Sequence, residues 1–350
     1  MDNLLSYVNF RGDLSFKASP FNIIDAAVLS VLSGLDLCGL SKEKVTLAEL
    51  LELYKERNRR DELDTRVKDK EMLFFRMAAS RRYSSIILTD YTREINKEEE
   101  TTFYAMTCEL PKHELFVAFR GTDGSLVSWK ENFNAMFTLP TYGQLKAKEY
   151  IDEKLRLFRF RKCIVAGHSK GGNLAAYAAT FADAKLQMRI KSVYCFDSPG
   201  FFEDIRTLEE YKRIEDRFNC IIPVGSVIGR LMHTYGQPVV VKSAGKGVYQ
   251  HDMFHWSVNA YGFDTEESVD LFSDSLSGKV NAWIEGIEVS KREAVVDELF
   301  NVFMKNGINH ISDLMHVDLK TLLGLLLSVK SLSKENRELL MIILKELRNH

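Results

Sequence analysis

One serine, flanked by glycines, has the residue types and the spacing of a hydrolytic nucleophile. Residues 167–172 read Gly-His-Ser-Lys-Gly-Gly, which places Gly167 and Gly171 two positions before and after Ser169. An apolar, β-type run precedes this segment, and an Ala-rich helical stretch follows it. A strand that enters Gly-x-Ser-x-Gly and continues as a helix is typical of a nucleophile elbow, in which the glycines permit close backbone approach. The sequence therefore predicts that Ser169 is a nucleophile.

Acyl transfer also needs donors for the negative charge that develops on the substrate's carbonyl oxygen. The helix that starts after Ser169 directs its positive end at the serine, and the backbone N–H of Lys170 is a predicted oxyanion donor. A second donor is expected from an earlier junction of a strand with a loop. Residues 116–123, which read Phe-Val-Ala-Phe-Arg-Gly-Thr-Asp, form such a junction.

The general base should be a histidine that follows the serine in the chain. The internal candidates are His233, His251, His255, His310 and His316. His251 follows the last predicted strand and the loop 243–247, where an α/β-hydrolase carries its base, so His251 is the predicted base. His255 is the alternative. His168, beside the nucleophile, is expected to be a structural part of the elbow.

Longer segments around these residues resemble two known families. Residues 117–123 (Val-Ala-Phe-Arg-Gly-Thr-Asp) and 165–179 (Val-Ala-Gly-His-Ser-Lys-Gly-Gly-Asn-Leu-Ala-Ala-Tyr-Ala-Ala) are similar to class 3, or fungal-type, lipases. Residues 3–33, Phe-Asp-Ser-Pro-Gly-Phe at 196–201 and Gln-His-Asp-Met-Phe-His-Trp at 250–256 are more similar to the Mbeg-like family of bacterial α/β-hydrolases, whose function is unknown. This resemblance implies an α/β-hydrolase fold and assigns Thr122 to the oxyanion hole.

The acid of a catalytic triad is where the sequence departs from the lipase pattern. Class 3 lipases place an aspartate before a proline after the next-to-last strand, but the matching segment 219–226, Asn-Cys-Ile-Ile-Pro-Val-Gly-Ser, has no carboxylate. We predict Asp197 instead, at the end of the strand after the serine's strand, where it would hold the tautomer of the histidine. Asp216 and Asp252 stay open as alternatives. A Ser-His dyad without an acid, an inactive site and a purely local role of Asp197 in a turn also stay open.

These residues need a scaffold of alternating strands and helices. Runs rich in β-formers predict strands at 85–89, 103–108, 115–119, 163–166, 192–196, 220–222 and 238–242. Residues 111–113, Pro-Lys-His, predict a hairpin, and the charged residues 96–100 predict an earlier turn. Helical spacing occurs at 21–37, 47–60, 145–158 and 173–179. The alternation predicts the α/β class: an α/β-hydrolase fold with a mostly parallel central sheet and helices on both faces.

Both ends of the chain are predicted to be helical. We expect a hydrolase domain over residues 1–285, with a helical part at 1–70 that includes a solvated, charged segment at 57–70. A helical appendage is expected over 286–350. In the appendage, Ser290 should cap an amphipathic helix that ends at Gly307, and further helices are expected at 319–329 and 335–347. This appendage is a candidate surface for a partner or for a second copy of the chain.

The composition limits the classes of function. The 350 residues are 45% hydrophobic and 27% charged with a formal net charge of −2, which is typical of a globular protein and argues against a nucleic-acid binder. The longest apolar run, 322–329, is far shorter than the about 20 residues of a membrane span, and residues 1–10 have no signal-peptide pattern. The five cysteines are widely spaced without a CxxC pair. We therefore expect free thiols, no zinc site and a cytoplasmic protein.

Together these features predict a serine hydrolase that needs no cofactor or metal and cleaves an ester of a small molecule or lipid. The elbow alone does not separate esters from thioesters or amides. The alternative is a catalytically inactive α/β-hydrolase scaffold used for binding, which the missing acid after Cys220 favours. The aromatic segment with Trp129, Phe133, Met136 and Phe137 is either a lid over the substrate cleft or a surface helix that packs these side chains inward.

Overall fold

The computed structural model describes residues 3–40, 44–57, 67–96, 101–123, 126–307 and 332–338. The helices are α1 (Leu4–Arg11), α2 (Ile23–Leu32), α3 (Leu47–Arg57), α4 (Val67–Ala79), α5 (Leu126–Asn134), α6 (Tyr142–Leu157), α7 (Lys170–Phe181), α8 (Ala184–Gln187), α9 (Glu209–Lys212), α10 (Leu271–Gly286) and α11 (Val289–Lys305). The strands are β1 (Val45–Thr46), β2 (Ile87–Asn96), β3 (Thr101–Leu110), β4 (Glu114–Phe119), β5 (Lys162–His168), β6 (Ile190–Phe196), β7 (Phe218–Pro223) and β8 (Pro238–Val241).

Within these described ranges the strands form one sheet whose spatial order follows the chain from β1 to β8. β1 to β4 pair in antiparallel fashion, and β4 to β8 pair in parallel. The hairpin predicted at 111–113 is confirmed, because β3 and β4 are antiparallel and Leu110 pairs with Glu114. β2 and β3 are likewise antiparallel, with Asn96 opposite Thr101, while residues 97–100 of the predicted turn lie outside the described residues. The predicted mostly parallel α/β sheet is confirmed.

Helices cover both faces of the sheet, as predicted. Phe116 and Ala118 of β4 point into a core shared with helices α1 to α4, whereas the alternate residues Leu115 and Val117 point into a core shared with α6 and α7. Such a change of face at every residue is the period of a strand, and a sheet buried on both sides reads as a continuous apolar run. The carboxyl ends of β4, β5 and β6 consequently meet at one edge between the two helical layers.

Several elements differ from the prediction in extent. The helix expected over 21–37 is the shorter α2, which Asn22 opens in a capping box with Asp25. In the charged segment 57–70, expected to be a solvated helix or loop, Arg57 ends α3 and is exposed, α4 starts at Val67 with Asp69 exposed, and residues 58–66 lie outside the described chain. β2 continues to Asn96, well beyond the predicted end at 89.

The C-terminal helices pack on the aromatic segment. α11 begins at Val289, so the expected cap at Ser290 is wrong, and Gly307 with φ +76° follows its end as predicted. Phe133 of α5 meets Phe300 of α11 edge to face with 5.3 Å between ring centroids. Trp129 and Phe137 join the same cluster, while Met136 packs against α10 and α11. The residues described thus show α5 with its aromatic face turned inward, and the predicted helices at 319–329 and 335–347 fall wholly or mostly outside them.

Two further observations concern the cysteines and the described helices. The five cysteines carry free thiols, and Cys108, Cys163 and Cys195 are buried. Among the described helices, none combines the length and the apolar character that crossing a membrane requires. The predicted division at residue 285/286 stays a prediction.

Candidate active site

Ser169 occupies a strained turn between β5 and α7. Its backbone has φ 58° and ψ −129°, a conformation that residues other than glycine rarely adopt, and its N–H donates to the Phe196 carbonyl at the end of β6 (2.9 Å). The residue lies at the N-terminus of α7, but its side chain does not cap the helix. Among the described residues, Ser169 Oγ has no hydrogen-bond partner. The hydroxyl is therefore held at the positive end of a helix and is half-exposed.

The glycines around Ser169 are required by close backbone approach. A Cβ on Gly167 would lie 2.2 Å from the Gly171 carbonyl carbon, and a Cβ on Gly171 would lie 2.1 Å from the Phe119 oxygen at the end of β4. Gly121 faces the same turn, since a Cβ there would lie 2.8 Å from the His168 oxygen. The missing side chains let the β4 loop, the β5 end and the first turn of α7 touch.

Asp197 and His251 form a short hydrogen bond beside this turn. Asp197 directly follows β6 and is, like Ser169, a non-glycine residue with positive φ (40°). His251 Nδ1 lies 2.6 Å from Asp197 Oδ2, and the two side chains are 30% and 1% exposed. Because a carboxylate only accepts, Nδ1 carries the proton and Nε2 is left as the acceptor at the accessible edge of the ring. This is the tautomer that a general base needs.

The loop after β7, which lacks a carboxylate, supplies donors to Asp197 instead. Ser226 Oγ donates to Asp197 Oδ1 (2.5 Å), and the Gly229 backbone N–H donates to the same oxygen (3.0 Å). A Cβ on Gly229 would lie 2.5 Å from this oxygen, so the approach requires glycine. Sequence reasoning missed both residues. The only available signal was the presence of three small residues, Gly225, Ser226 and Gly229, shortly after a strand.

The alternative acids lie in other surroundings. Asp216 is 79% exposed in the turn before β7, and its nearest cation is Arg217 at 3.7 Å. Asp252 accepts the Phe254 backbone N–H (3.0 Å) and thereby caps a short turn. The structure thus brings Asp197, rather than Asp216 or Asp252, into hydrogen-bond contact with the predicted base.

Of the other candidate bases, His255 and His233 are described, and their contacts lie elsewhere. The His255 ring meets Tyr249 edge to face at 5.9 Å, and the backbone of His233 pairs with that of Phe201. His310 and His316 lie outside the described residues.

His168 supports the loop that carries His251. Its Nε2 donates to the His251 carbonyl oxygen (2.7 Å), and the two rings lie 4.4 Å apart between centroids. Burial lowers the pKa of the His168 imidazole well below its usual range, and the neighbouring His251 lowers it further. On the other side, the buried Trp256 donates its indole N–H to the Gln250 carbonyl (2.8 Å). His168 is therefore a neutral structural residue. Its hydrogen bond to His251 and that of Trp256 to Gln250 hold the segment 250–256 in place.

The residues proposed from the sequence for the oxyanion hole flank Ser169. Thr122 lies in the loop after β4, and its Oγ1 accepts a hydrogen bond from Asn132 Nδ2 of α5 (2.8 Å). Lys170 is the first residue of α7, where backbone N–H groups have no intrahelical acceptor. Its side chain is buried and pairs with Glu131 of α5, a contact that the sequence reasoning did not include. Within the described chain, no group of three or more His, Cys, Asp or Glu side chains could hold a metal ion.

Comparisons with solved structures find lipases. The crystal structure of M37 lipase shares 16% identity, with 59% of this chain and 68% of that chain covered and a TM-score of 0.37. The Rhizomucor miehei lipase propeptide complex shares 11% identity, covers 69% and 81% of the two chains and has a TM-score of 0.41. The lipase from Rhizopus microsporus var. chinensis shares 12% identity, covers 69% and 90%, and has a TM-score of 0.38. Likenesses of this size say nothing by themselves about the activity of this chain.

The sequence comparisons give the family. A search of the curated proteins finds no match. The family model described as Mbeg1-like matches residues 77–301, which is more than half of the chain. The strand–elbow–helix arrangement within a mostly parallel sheet confirms the predicted α/β-hydrolase fold, and the chain belongs to the Mbeg1-like family.

Proposed function

We propose that this protein is a serine hydrolase that cleaves carboxylic esters, with Ser169 as nucleophile, His251 as general base and Asp197 as the acid that orients it. The observation that carries the proposal is the 2.6 Å hydrogen bond from His251 Nδ1 to the buried Asp197, next to a serine in a strained turn. A surface histidine has no need of a buried carboxylate that is itself fixed by two further donors.

The reaction follows from these positions. Ser169 Oγ attacks the ester carbonyl while His251 Nε2 takes the hydroxyl proton, and the negative Asp197 stabilises the imidazolium. The backbone N–H groups of Lys170 and the Thr122 loop stabilise the oxyanion, together with the positive end of α7. The C–O bond then breaks, and the imidazolium protonates the leaving alcohol. Water, deprotonated by His251, releases the acid and restores Ser169. The Ser169–His251 hydrogen bond is expected to form when substrate binds, as in other hydrolases whose free structures lack it.

A small-molecule ester or a lipid ester is the proposed substrate. A neutral His168 next to His251 supports proton transfer near neutral pH, because it adds no positive charge beside the imidazolium that forms. The chemistry requires neither a metal nor an organic cofactor.

Labelling with a fluorophosphonate probe tests the proposal. We expect the wild-type protein to be labelled at neutral pH and Ser169→Ala to be unlabelled, since the probe reacts with an activated serine. Ser290→Ala removes an exposed serine of α11 and should be labelled like the wild type. A panel of p-nitrophenyl esters with increasing acyl length would then define the substrate.

The opposite outcomes are informative. If the folded wild-type protein is not labelled and does not hydrolyse the esters, the inactive scaffold becomes the better description. Labelling that persists in Ser169→Ala would move the nucleophile to another residue.

A further inference from the structure

A buried ion pair lies immediately beside the elbow. Lys170 is 6% exposed, and its Nζ lies 2.8 Å from Glu131 Oε2 and donates to the Thr102 carbonyl (2.8 Å). Ser128 Oγ lies 3.4 Å from the same nitrogen. The lysine of the elbow is therefore buried, and it ties the first residue of α7 to α5 and to the start of β3.

Stability alone is a poor reason for this pair. The free energy needed to remove two charges from water is commonly larger than the free energy of their attraction. Two apolar side chains of the same volume would often stabilise a fold equally well. The hydrogen bonding of the Glu131 carboxylate is also incomplete, because among the described residues its buried Oε1 has no hydrogen-bond partner. Gly143 leaves space for this oxygen, since a Cβ there would lie 2.3 Å from it. A charged pair kept under these conditions calls for a positional role.

α5 connects both sides of the oxyanion hole. Glu131 holds Lys170, and the next residue, Asn132, donates to Thr122 Oγ1 (2.8 Å). One turn of helix thus touches the two residues whose backbone N–H groups are assigned to the oxyanion. The opposite face of α5 is held by α11, through Phe133 against Phe300 and through an ion pair of Lys130 with Asp297 (2.8 Å).

We infer that the Glu131–Lys170 ion pair is a positioning device that sets the width of the oxyanion hole. It fixes α5 against the first residue of α7, and Asn132 of the same turn then places Thr122 opposite the Lys170 N–H. Glu131 and the Lys170 side chain do not touch the reacting atoms, so both are positioning groups. The inference rests on the proposed hydrolase function and extends it to α5.

The test compares a neutral replacement of this pair with the loss of an ion pair elsewhere in the described chain. In Glu131→Met/Lys170→Met both charges are removed together, which avoids leaving one charge buried alone. We expect a melting temperature close to that of the wild type, but a kcat for p-nitrophenyl esters and a fluorophosphonate labelling rate that are about 100-fold lower, because donors displaced by an ångström lose their effect. KM should change by less than about threefold, since the donors act on the transition state.

The control is Lys154→Met in α6, which breaks a less buried pair with Asp90 of β2 (2.7 Å, side chains 10% and 31% exposed). It should lower the melting temperature without a change in kcat. Lys170→Arg keeps the positive charge beside Glu131, so its kcat should be higher than that of the double variant.

The outcomes separate the two claims. If the wild-type protein is labelled at Ser169 and the folded double variant is labelled at the same rate, the proposed function stands and this inference is overturned. If the wild-type protein is not labelled at all, the proposed function fails, and the ion pair has no oxyanion hole to set. A raised KM with an unchanged kcat would also overturn it, because it indicates a role in substrate binding alone.

Discussion

Replacing Asp197 by asparagine separates the proposed catalytic role of this carboxylate from its structural role. The amide oxygen can still accept from Ser226 Oγ and the Gly229 N–H, so the loop after β7 keeps its partner. The amide nitrogen, however, only donates, and it would face His251 Nδ1 at the present 2.6 Å. His251 must then carry its proton on Nε2, where it can no longer accept the proton of Ser169.

The expected loss of kcat in Asp197→Asn follows from the His251 tautomer with its proton on Nε2. A change of this kind lowers kcat by about 10,000-fold, which corresponds to about 5.4 kcal/mol in the activation free energy. The free energy of unfolding should fall by less than about 2 kcal/mol, because the two hydrogen bonds to Oδ1 are weakened rather than lost. Hydrolysis of a p-nitrophenyl ester and urea unfolding would measure the two quantities on the same preparation.

Two matched aspartates provide the controls. Asp216→Asn changes an exposed carboxylate in the turn before β7, and Asp252→Asn keeps an oxygen that can accept the Phe254 N–H. Both should retain a kcat close to that of the wild type, because neither carboxylate is the hydrogen-bond partner of His251 Nδ1. The reasoning is refuted if Asp197→Asn keeps more than a tenth of the wild-type kcat, or if Asp252→Asn is the more damaging change.

Three further predictions concern stability. Because burial holds the pKa of His168 below its unfolded value of about 6.5, the unfolded chain binds more protons below that pH, and the free energy of unfolding should fall by up to about 1.4 kcal/mol per unit of pH from 6.5 downwards. His168→Gln should show a shallower dependence in urea titrations, and an identical slope would contradict the neutral state of His168. Gly171→Ala should lower the melting temperature sharply because of its contact at 2.1 Å, whereas Gly278→Ala, in open space on α10, should leave it unchanged or raise it by up to a few degrees. Arg82→Met leaves the fully buried Asp25 without its cation and should cost about 3–5 kcal/mol in urea unfolding; a loss below 1 kcal/mol would mean that Asp25 finds another partner.

The fold was predictable where each strand buries both faces. β4 and β5 read as continuous apolar runs, and their predicted bounds are close to the observed ones. β2 was predicted too short because its second half, 90–96, carries polar and charged residues that are half-buried or exposed near the sheet's edge. A strand of that kind has no apolar run, and only its pairing with β3 reveals it.

The candidate site also combines contacts between residues that are near in the sequence with contacts between residues that are distant in it. The elbow is local, since Gly167, Ser169 and Gly171 act within one turn, and their spacing was sufficient to find it. The surroundings of Asp197 are assembled from residues 29, 32 and 54 positions further along the chain. No periodicity in the sequence records such contacts, which is why the acid could be ranked but not separated from its alternatives.

In an α/β sheet, the strand that carries the carboxylate facing the histidine can vary. A carboxylate after β7 and a carboxylate after β6 both stand at the carboxyl edge of neighbouring parallel strands, so either can face an imidazole delivered by the loop after β8. When the acid is on β6, the loop after β7 has a different task, and here Ser226 and Gly229 fill it by donating to Asp197. The proposed triad is thus defined by which atoms donate and accept, and under the proposed function the missing carboxylate after Cys220 corresponds to an acid placed on the neighbouring strand.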